Sequence, residues 1–490
     1  MDSIHPLYKN EEFLNNFLKY SKSKIIGISM KLTKEYITLI IFIIATTFLS
    51  TSQTVVTTGL TEIMADFHVS STSAQWIYSS FLLVLGVMIP ISAFVARRFK
   101  IRKIIVYSLI FFLIGSIISY IAPSLYVLIL GRVIQAVGAG ILLPITQIVI
   151  LKIIPKEKWQ MYMGLFGFII GIAPALAPTL GGFIIDSTGW REIFLICSII
   201  TFVLIIISAI GVKLEFETSD YSLDIASLVL CVLACVGIMF GFSNMAAHGS
   251  SLIYVILPIV VGVISLIVFA KRQFNIEAPL LDLRIFKNKY FFFGTMFSAI
   301  LYFTMCGLNV IMPLFVQSVA YHSATESGIV LLPATIIMII FNFVGALLAQ
   351  KFGVRKILIL SCLFTIVGYL VMMTYDINSS INYMIITQIL RAIGAGLGLM
   401  PVVTWTISVV SGNIEDATAI NNTVRQLIGA IGSALSVVIL ALFAGGNPTH
   451  NNVSVLAFGE TSIVMAILAV LMLVIVILFI HDDVEPEEFN

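Results

Sequence analysis

The chain has 490 residues, of which 59% are hydrophobic and only 11% charged. Soluble domains average about 45–50% apolar and about 25% charged residues, and here the mean hydropathy is +1.09. So little charge cannot cover a water-exposed surface, which excludes a soluble protein and makes the bilayer the solvent. The net charge of +2 matters less than where the charges fall. Five cysteines (Cys197, Cys231, Cys235, Cys306 and Cys362) all sit in apolar runs, with neither zinc-site spacing nor a disulfide framework.

A membrane-crossing helix needs about 20 mostly apolar residues. Fourteen such runs follow in chain order, centred on 36–60, 74–96, 104–122, 124–150, 161–185, 193–212, 223–243, 252–270, 291–316, 327–349, 357–375, 381–410, 419–445 and 459–480. Basic residues orient them, because cytoplasmic loops are enriched in Lys and Arg. Of the 27 Lys and Arg, Arg191 alone lies in a loop after an odd-numbered span. Arg132, Arg391 and Arg425 lie within spans. All the others lie in the N-terminal stretch or in loops after even-numbered spans. The reading is an all-α integral membrane protein with both termini cytoplasmic.

The chain also repeats itself. AFVARRFKIRKIIVYSLIFFLIG (93–115) aligns without a gap on ALLAQKFGVRKILILSCLFTIVG (346–368), at an offset of 253. AVGAGILLP (136–144) matches AIGAGLGLMP (392–401). Six spans therefore map onto six, and spans 7 and 8 form an insert. The expected organisation is an N-terminal tail (1–35), a first six-helix bundle (36–212), a two-helix insert with flanking loops (213–290), a second six-helix bundle (291–480) and an acidic tail (481–490). Parallel six-span halves are the architecture of rocker-type secondary transporters, whose substrate binds between the halves near the midplane. The glycine-rich stretches lie inside spans, so they read as helix-packing surfaces and not as nucleotide loops.

Several stretches, in this order, carry a resemblance: SQTVVTTGLTEIMADF, QWIYSSFLLVLGVMIPISAF, LGRVIQAVGAG, GIAPALAPTLGGFIID followed by GWREIF, PLLDLRIFKNKYF and AINNTVRQLIGAIGSAL. Together they resemble the major facilitator superfamily, and within it the fourteen-span drug:proton antiporters of the lincomycin and quaternary-ammonium type. The resemblance covers the chain from about residue 36 onward. It implies a major facilitator fold of 6 + 2 + 6 helices and a multi-pass plasma-membrane protein. It implies an exporter of small amphiphilic toxic compounds, not an enzyme, with the proton gradient as energy source and no cofactor, metal or nucleic-acid partner. Protons and membrane lipid are the other expected partners, and monomer is the family default.

The resemblance also places site residues. GIAPALAPTLGG matches the family's antiporter motif, with Gly171, Pro174, Pro178, Gly181 and Gly182, although Ala177 replaces a usual glycine. Arg132 matches the span 4 arginine implicated in proton coupling, with Gln135 one turn away. Aligning the GAG triplets sets Gln388 opposite Arg132 and Arg391 opposite Gln135. An intramembrane guanidinium costs about 2.5–3.5 kcal/mol on insertion scales, so Arg132 either serves transport or is tied to backbone carbonyls. The loop motif after span 2 implies a cytoplasmic gate at Arg98, Arg102 and Lys103, and at their repeats Arg355 and Lys356. The family's gate often includes an Asp, and Arg97 stands where that acid would fall.

Proton antiport needs a titratable group, yet no acid reads as mid-span. Many relatives carry an acid where this chain has Ser52. The remaining candidates lie near span ends: Glu62, Asp66, Asp186, Asp224 and Glu460, with Glu62 preferred. The cavity is expected to be apolar and aromatic with amides, lined by Ser52, Gln53, Asn309, Asn342 and Trp405. Two other readings stay open. One is a dedicated exporter or flippase of a single lipid, peptide or metabolite, and the other is a non-transporting membrane receptor.

Overall fold

A computed structural model describes residues 34–69, 71–216, 218, 224–246, 252–276, 279–322, 324–411, 413–444 and 454–484. The tail segments 1–33 and 485–490 lie outside the described residues. Many spans are rich in Ile and Val, which favour strands in water. In hydrocarbon each backbone N–H and C=O must be satisfied within the segment, and helix is the result.

Fourteen long helices run through the chain: span 1 (Lys34–Val55), span 2 (Ser71–Arg98), span 3 (Ile101–Tyr120), span 4 (Leu125–Ile153), span 5 (Trp159–Thr188), span 6 (Arg191–Gly211), span 7 (Ile225–Ala246), span 8 (Leu252–Asn275), span 9 (Lys289–Ser318), span 10 (Ala324–Phe352), span 11 (Val354–Met372), span 12 (Ile381–Ser408), span 13 (Ile414–Phe443) and span 14 (Val455–Phe479). Among the described residues, thirteen helices are long and apolar enough to cross a membrane. Span 5, several of whose side chains lie outside the described residues, is the fourteenth long helix.

Three boundaries differ from expectation by five residues, and span 8 runs on to Asn275. Span 1 stops at Val55 and continues as a 3-10 turn (Val56–Gly59) and a short helix (Leu60–Phe67). The β-branched run Thr54–Thr58 followed by Gly59 weakens α-helix at that point. Span 13 begins at Ile414, five residues before its apolar stretch, because its first turn is polar.

Side chains cap several helix starts. Asn288 accepts from the Tyr290 and Phe291 amides, Ser380 from Tyr383, and Ser454 from Ala457. Gly353, at φ +91°, makes the turn between spans 10 and 11.

The basic loops and the ends of spans 1 and 14 nearest the termini lie at one end of the bundle, here the basic end. The halves meet where span 5 packs on spans 10 and 12, and where span 13 packs on spans 2 and 4. The insert helices pair with each other, and span 7 lies against both span 2 and span 13, at the junction of the halves. At the basic end, one apolar core runs through the first half and into Phe291, Phe297, Leu301, Ala349, Trp405, Ala417 and Val476 of the second. At the opposite end, the second half keeps a separate core built on Phe315, Tyr369, Tyr375 and Phe458.

Candidate functional site

Side chains fasten the two halves at the basic end. Arg97, in the last turn of span 2, donates through Nη1 to Asp416 Oδ2 in the first turn of span 13. Its Nη2 donates to the carbonyls of Pro279, at 3.1 Å, and Leu280, at 2.9 Å. The Asp416 side chain is 2% exposed and that of Arg97 14%. Lys152, in the last turn of span 4, pairs with the neighbouring Glu415. Each charge sits where its own helix end favours it, acids at an N-terminus and bases at C-termini.

Amide bonds extend this latch. Gln350 Nε2 donates to Glu157 O at 2.9 Å, Gln160 Nε2 to Pro401 O at 3.3 Å, and Asn422 Nδ2 to Gln147 Oε1 at 2.6 Å. A methyl placed on Gly164 of span 5 would overlap the Ala346 methyl of span 10, so this close approach needs glycine.

The insert supports the same latch. The fully buried Gln273 of span 8 accepts from the Leu281 amide at 3.2 Å and donates to Ser227 Oγ at 2.6 Å. Ser227 donates to Asp224 at 2.6 Å, and Arg272 pairs with Asp224 at 2.6 and 3.0 Å. The Arg272 guanidinium, helped by Ser227, holds the Asp224 carboxyl down at about 2. The loop whose carbonyls hold Arg97 is therefore hydrogen-bonded to span 8 through Gln273, which in turn bonds Ser227 of span 7.

Among the described residues, a Cβ added at Gly182 of span 5 or Gly328 of span 10 would meet nothing within 4 Å. On span 9, Tyr302, Cys306 and Asn309 share one helical stripe, with Asn309 exposed and the other two partly so. Arg425 of span 13 lies over the Tyr302 ring at 5.3 Å. Tyr78 of span 2, in the other half, is close enough to Tyr302 to interact electrostatically.

The predicted site residues separate into several places. Arg132 is fully buried inside the first half. It donates to Gln135 at 2.8 Å, to the Ser52 carbonyl and hydroxyl at 3.3 and 3.4 Å, and to the Ile77 carbonyl at 3.4 Å, and it lies 4.3 Å from the Phe81 ring. Gln135 continues to Ser116 at 2.7 Å. In the second half, Arg391 donates to Gln388 at 3.4 Å, and Gln388 faces the sulfurs of Met312 and Met372. Both Arg–Gln pairs thus sit within their own half.

Gln53 is half-buried on span 1, and Asn342 is buried on span 10 with its backbone against span 5. Gly171 packs against Ile339 of span 10, and Gly181 is buried. Pro174 and Pro178 lie on the span 5 helix, and their side chains fall outside the described residues, as does that of Asp186.

Trp405 corrects an expectation. It is 4% exposed and donates its indole N–H to the His481 carbonyl at 2.9 Å, at the basic end of the second half. A Trp with one polar edge anchors well at such a boundary, and it packs there instead of lining a cavity. The expected gate residues lie at the surface of the basic end. Arg98, Arg102, Lys103 and Lys356 are exposed, and Arg355 donates to Ile477 O within its own half. Arg97 and Lys152 are basic residues that cross between the halves.

Glu62 is exposed on the short helix after span 1. Its neighbour Asp66 pairs with Arg191 at 2.5 Å and accepts from the Trp190 indole at 3.1 Å. Those two contacts, Arg191 first, hold the Asp66 carboxyl below its usual range. Asp66 also borders a cavity of about 710 Å³ at the far end, whose described lining, including Trp76, Pro123 and Tyr126, belongs to the first half alone. Glu460 is half-buried in span 14.

The acids that join the halves are Asp416 and its neighbour Glu415, neither of which was among the candidates read from the sequence. The only signal available was the IED sequence immediately before ATAINNTVRQ.

Two six-helix halves joined at one end by side-chain contacts, with a two-helix insert, have the architecture of the secondary transporters. The Major Facilitator Superfamily model matches residues 42–433 and 291–490, and the chain belongs to this family of membrane transporters. It is a multi-pass plasma-membrane protein, and its family transports rather than catalyses. The uncharacterized MFS-type transporter YcnB of Bacillus subtilis is 32% identical over 401 residues, 82% of this chain and 85% of that protein. The lincomycin resistance protein LmrB of Bacillus subtilis is 31% identical over 394 residues, 80% and 82% of the two chains. Among solved structures, the human organic anion transporter MFSD10 (TETRAN) matches with a TM-score of 0.62 at 12% identity, covering 90% of this chain and 99% of that one. At that identity the match speaks for the fold.

Proposed function

We propose that this protein exports amphiphilic toxic compounds in exchange for protons, by alternating access between its two halves. One observation carries the reading. The apolar core is continuous between the halves at the basic end and divided at the other, which is one terminal state of a rocking cycle. Lys and Arg concentrate on the cytoplasmic side of membrane proteins, so the basic end is assigned to the cytoplasm and the open end to the outside. The two termini belong with the basic end.

Drug-like substrates are supported by the 31% identity to a lincomycin resistance protein. Proton coupling is supported by Asp416, a buried carboxylate whose charge helps to hold the latch. Protonation would weaken its bond to Arg97 and favour opening toward the cytoplasm. The proton gradient is the sole energy source in this scheme. The protein acts as a monomer in lipid, with span 8 as an outer wall, only 22% buried over its apolar window.

Efflux of several unrelated dyes and drugs from proteoliposomes, with and without an imposed pH gradient, tests the reading. Gradient-driven movement of several amphiphiles is expected. Movement of one lipid or metabolite, indifferent to the gradient, would replace this reading with a dedicated exporter or flippase.

A further inference from the structure

Arg425 takes part in neither the Arg97 latch nor the Arg132 network. It lies on span 13, 9% exposed, and donates through Nη2 to Asn422 Oδ1 at 2.7 Å. Asn422 is itself engaged with Gln147 of the other half. Among the described residues no carboxylate pairs with Arg425, and its Nε and Nη1 have no hydrogen-bond partner. One open donor therefore remains on each edge of the guanidinium.

Its surroundings are a binding surface in miniature. The Tyr302 ring lies beneath it at 5.3 Å. One turn further along span 13, Gly429 brings the backbone against that ring and against Cys306 Sγ. Asn309 continues the same stripe into the exposed region.

The contrast with Arg132 is instructive. Arg132 is buried deeper still, and its Nε and Nη1 engage Gln135, Ser52 and Ile77 inside one half, leaving Nη2 alone without a partner. Arg425 stands beside the Asn422–Gln147 contact between the halves with two nitrogens unpaired. A guanidinium is charged at any physiological pH, and its fork matches the oxygens of a carboxylate or phosphate. Buried donors of this kind require acceptors.

We propose that Arg425 recognises the oxyanion of an amphiphilic substrate. A carboxylate or phosphate oxygen accepts from one of the two unpaired donors, Nε or Nη1, and the partly exposed Tyr302 and Cys306 pack against its apolar body. This rests on the transporter reading and names the substrate class of the site between the halves.

The test is equilibrium binding by purified protein in zwitterionic lipid nanodiscs at pH 7. The probes are a dansylated fatty acid and its uncharged methyl ester. The acid is expected to bind about tenfold more tightly than the ester, a difference of about 1.4 kcal/mol. Arg425→Gln should abolish the preference and leave ester binding unchanged. Asn422→Asp keeps the guanidinium and supplies a resident carboxylate, so it should cut binding of the acid about tenfold even if Arg425→Gln fails to fold. Adding phosphatidylglycerol to the discs identifies the source: competition assigns the oxyanion to a lipid headgroup, and no competition to a free amphiphile. Equal affinity for acid and ester in the wild type, or no effect of Asn422→Asp, overturns the proposal. Because no gradient is applied, failure of proton-driven efflux would be seen separately.

Discussion

Asp416→Asn isolates the charge of the inter-half latch. In the closed arrangement Arg97 holds Asp416 and two backbone carbonyls, with Asp416 2% exposed. Removing one partner of a buried ion pair costs about 3–5 kcal/mol. Asparagine keeps an acceptor oxygen, so about half of that cost, ~2 kcal/mol, should fall on the closed state. At 1.4 kcal/mol per tenfold that is about a 30-fold shift toward opening at the basic end. An equilibrium of about 100:1 for the latched state would become about 3:1.

Spin labels at positions 102 and 356, exposed in the two halves, read this directly as an inter-half distance distribution in nanodiscs, with Cys306 replaced by Ser. The variant should gain a long-distance population, and the exchanged pair Arg97→Asp with Asp416→Arg should lose most of it. Acidification should move the wild type the same way, because protonation removes the negative partner. The other charged groups near Asp416 are Glu415, Lys152, Asp282 and Arg284. Identical distributions for wild type and Asp416→Asn would refute the reasoning, since the ion pair would then contribute nothing to closure.

Gly164→Ala should slow transport several-fold by wedging spans 5 and 10 apart at the basic end, and Ala346→Gly should restore it; efflux rates in everted vesicles decide this. Gln273→Leu breaks the link from Ser227 to Leu281. It leaves buried partners unsatisfied at about 1–3 kcal/mol, so the same distance measurement should show basic-end opening, smaller than for Asp416→Asn. Asp224 contributes by a depressed pKa, about 2 in the folded protein against about 3.9 unfolded. Its stabilisation is present above pH 3.9 and lost as pH falls through 2. Asp224→Asn should therefore increase proteolysis of the loop before span 7 at pH 7, with the difference from wild type shrinking below pH 3; an equal difference at both pH values would exclude the Arg272 pair as the cause.

The spans and their six-to-six repeat were legible because bilayer thickness and backbone satisfaction leave few alternatives to a 20-residue apolar helix. Arg97 was visible as a departure from the gate pattern, but its partner was not. Asp416 is 319 residues away and lies in a polar turn that an apolar window assigns to a loop. Its burial comes from residues 279–281 and span 2 closing over it, which is tertiary information. Trp405 misled for a related reason. Apolar neighbours showed that it was buried, but not that the chain beyond span 14 returns to offer the His481 carbonyl. Arg132 and Arg425 read alike in sequence, as lone charges in apolar helices, and only the structure shows that Arg132 leaves one guanidinium nitrogen unpartnered and Arg425 two.

The repeat also explains why the latch is lopsided. At the offset of 253 the counterpart of Arg97 is Gln350, and both reach into the opposite half, Arg97 to Asp416 and Gln350 to the Glu157 carbonyl. One symmetry-related contact is an ion pair and the other a neutral amide bond, which is weaker by roughly half. The insert stands on the stronger side: span 7 packs at the junction of spans 2 and 13, and Gln273 fixes the loop that supplies two more acceptors to Arg97. Two added helices thus brace the contact that carries charge, and a group that can be neutralised by a proton sits at its centre. A symmetric latch of two neutral amides would close less firmly, and under the proposed exchange it would offer a proton gradient nothing to act on.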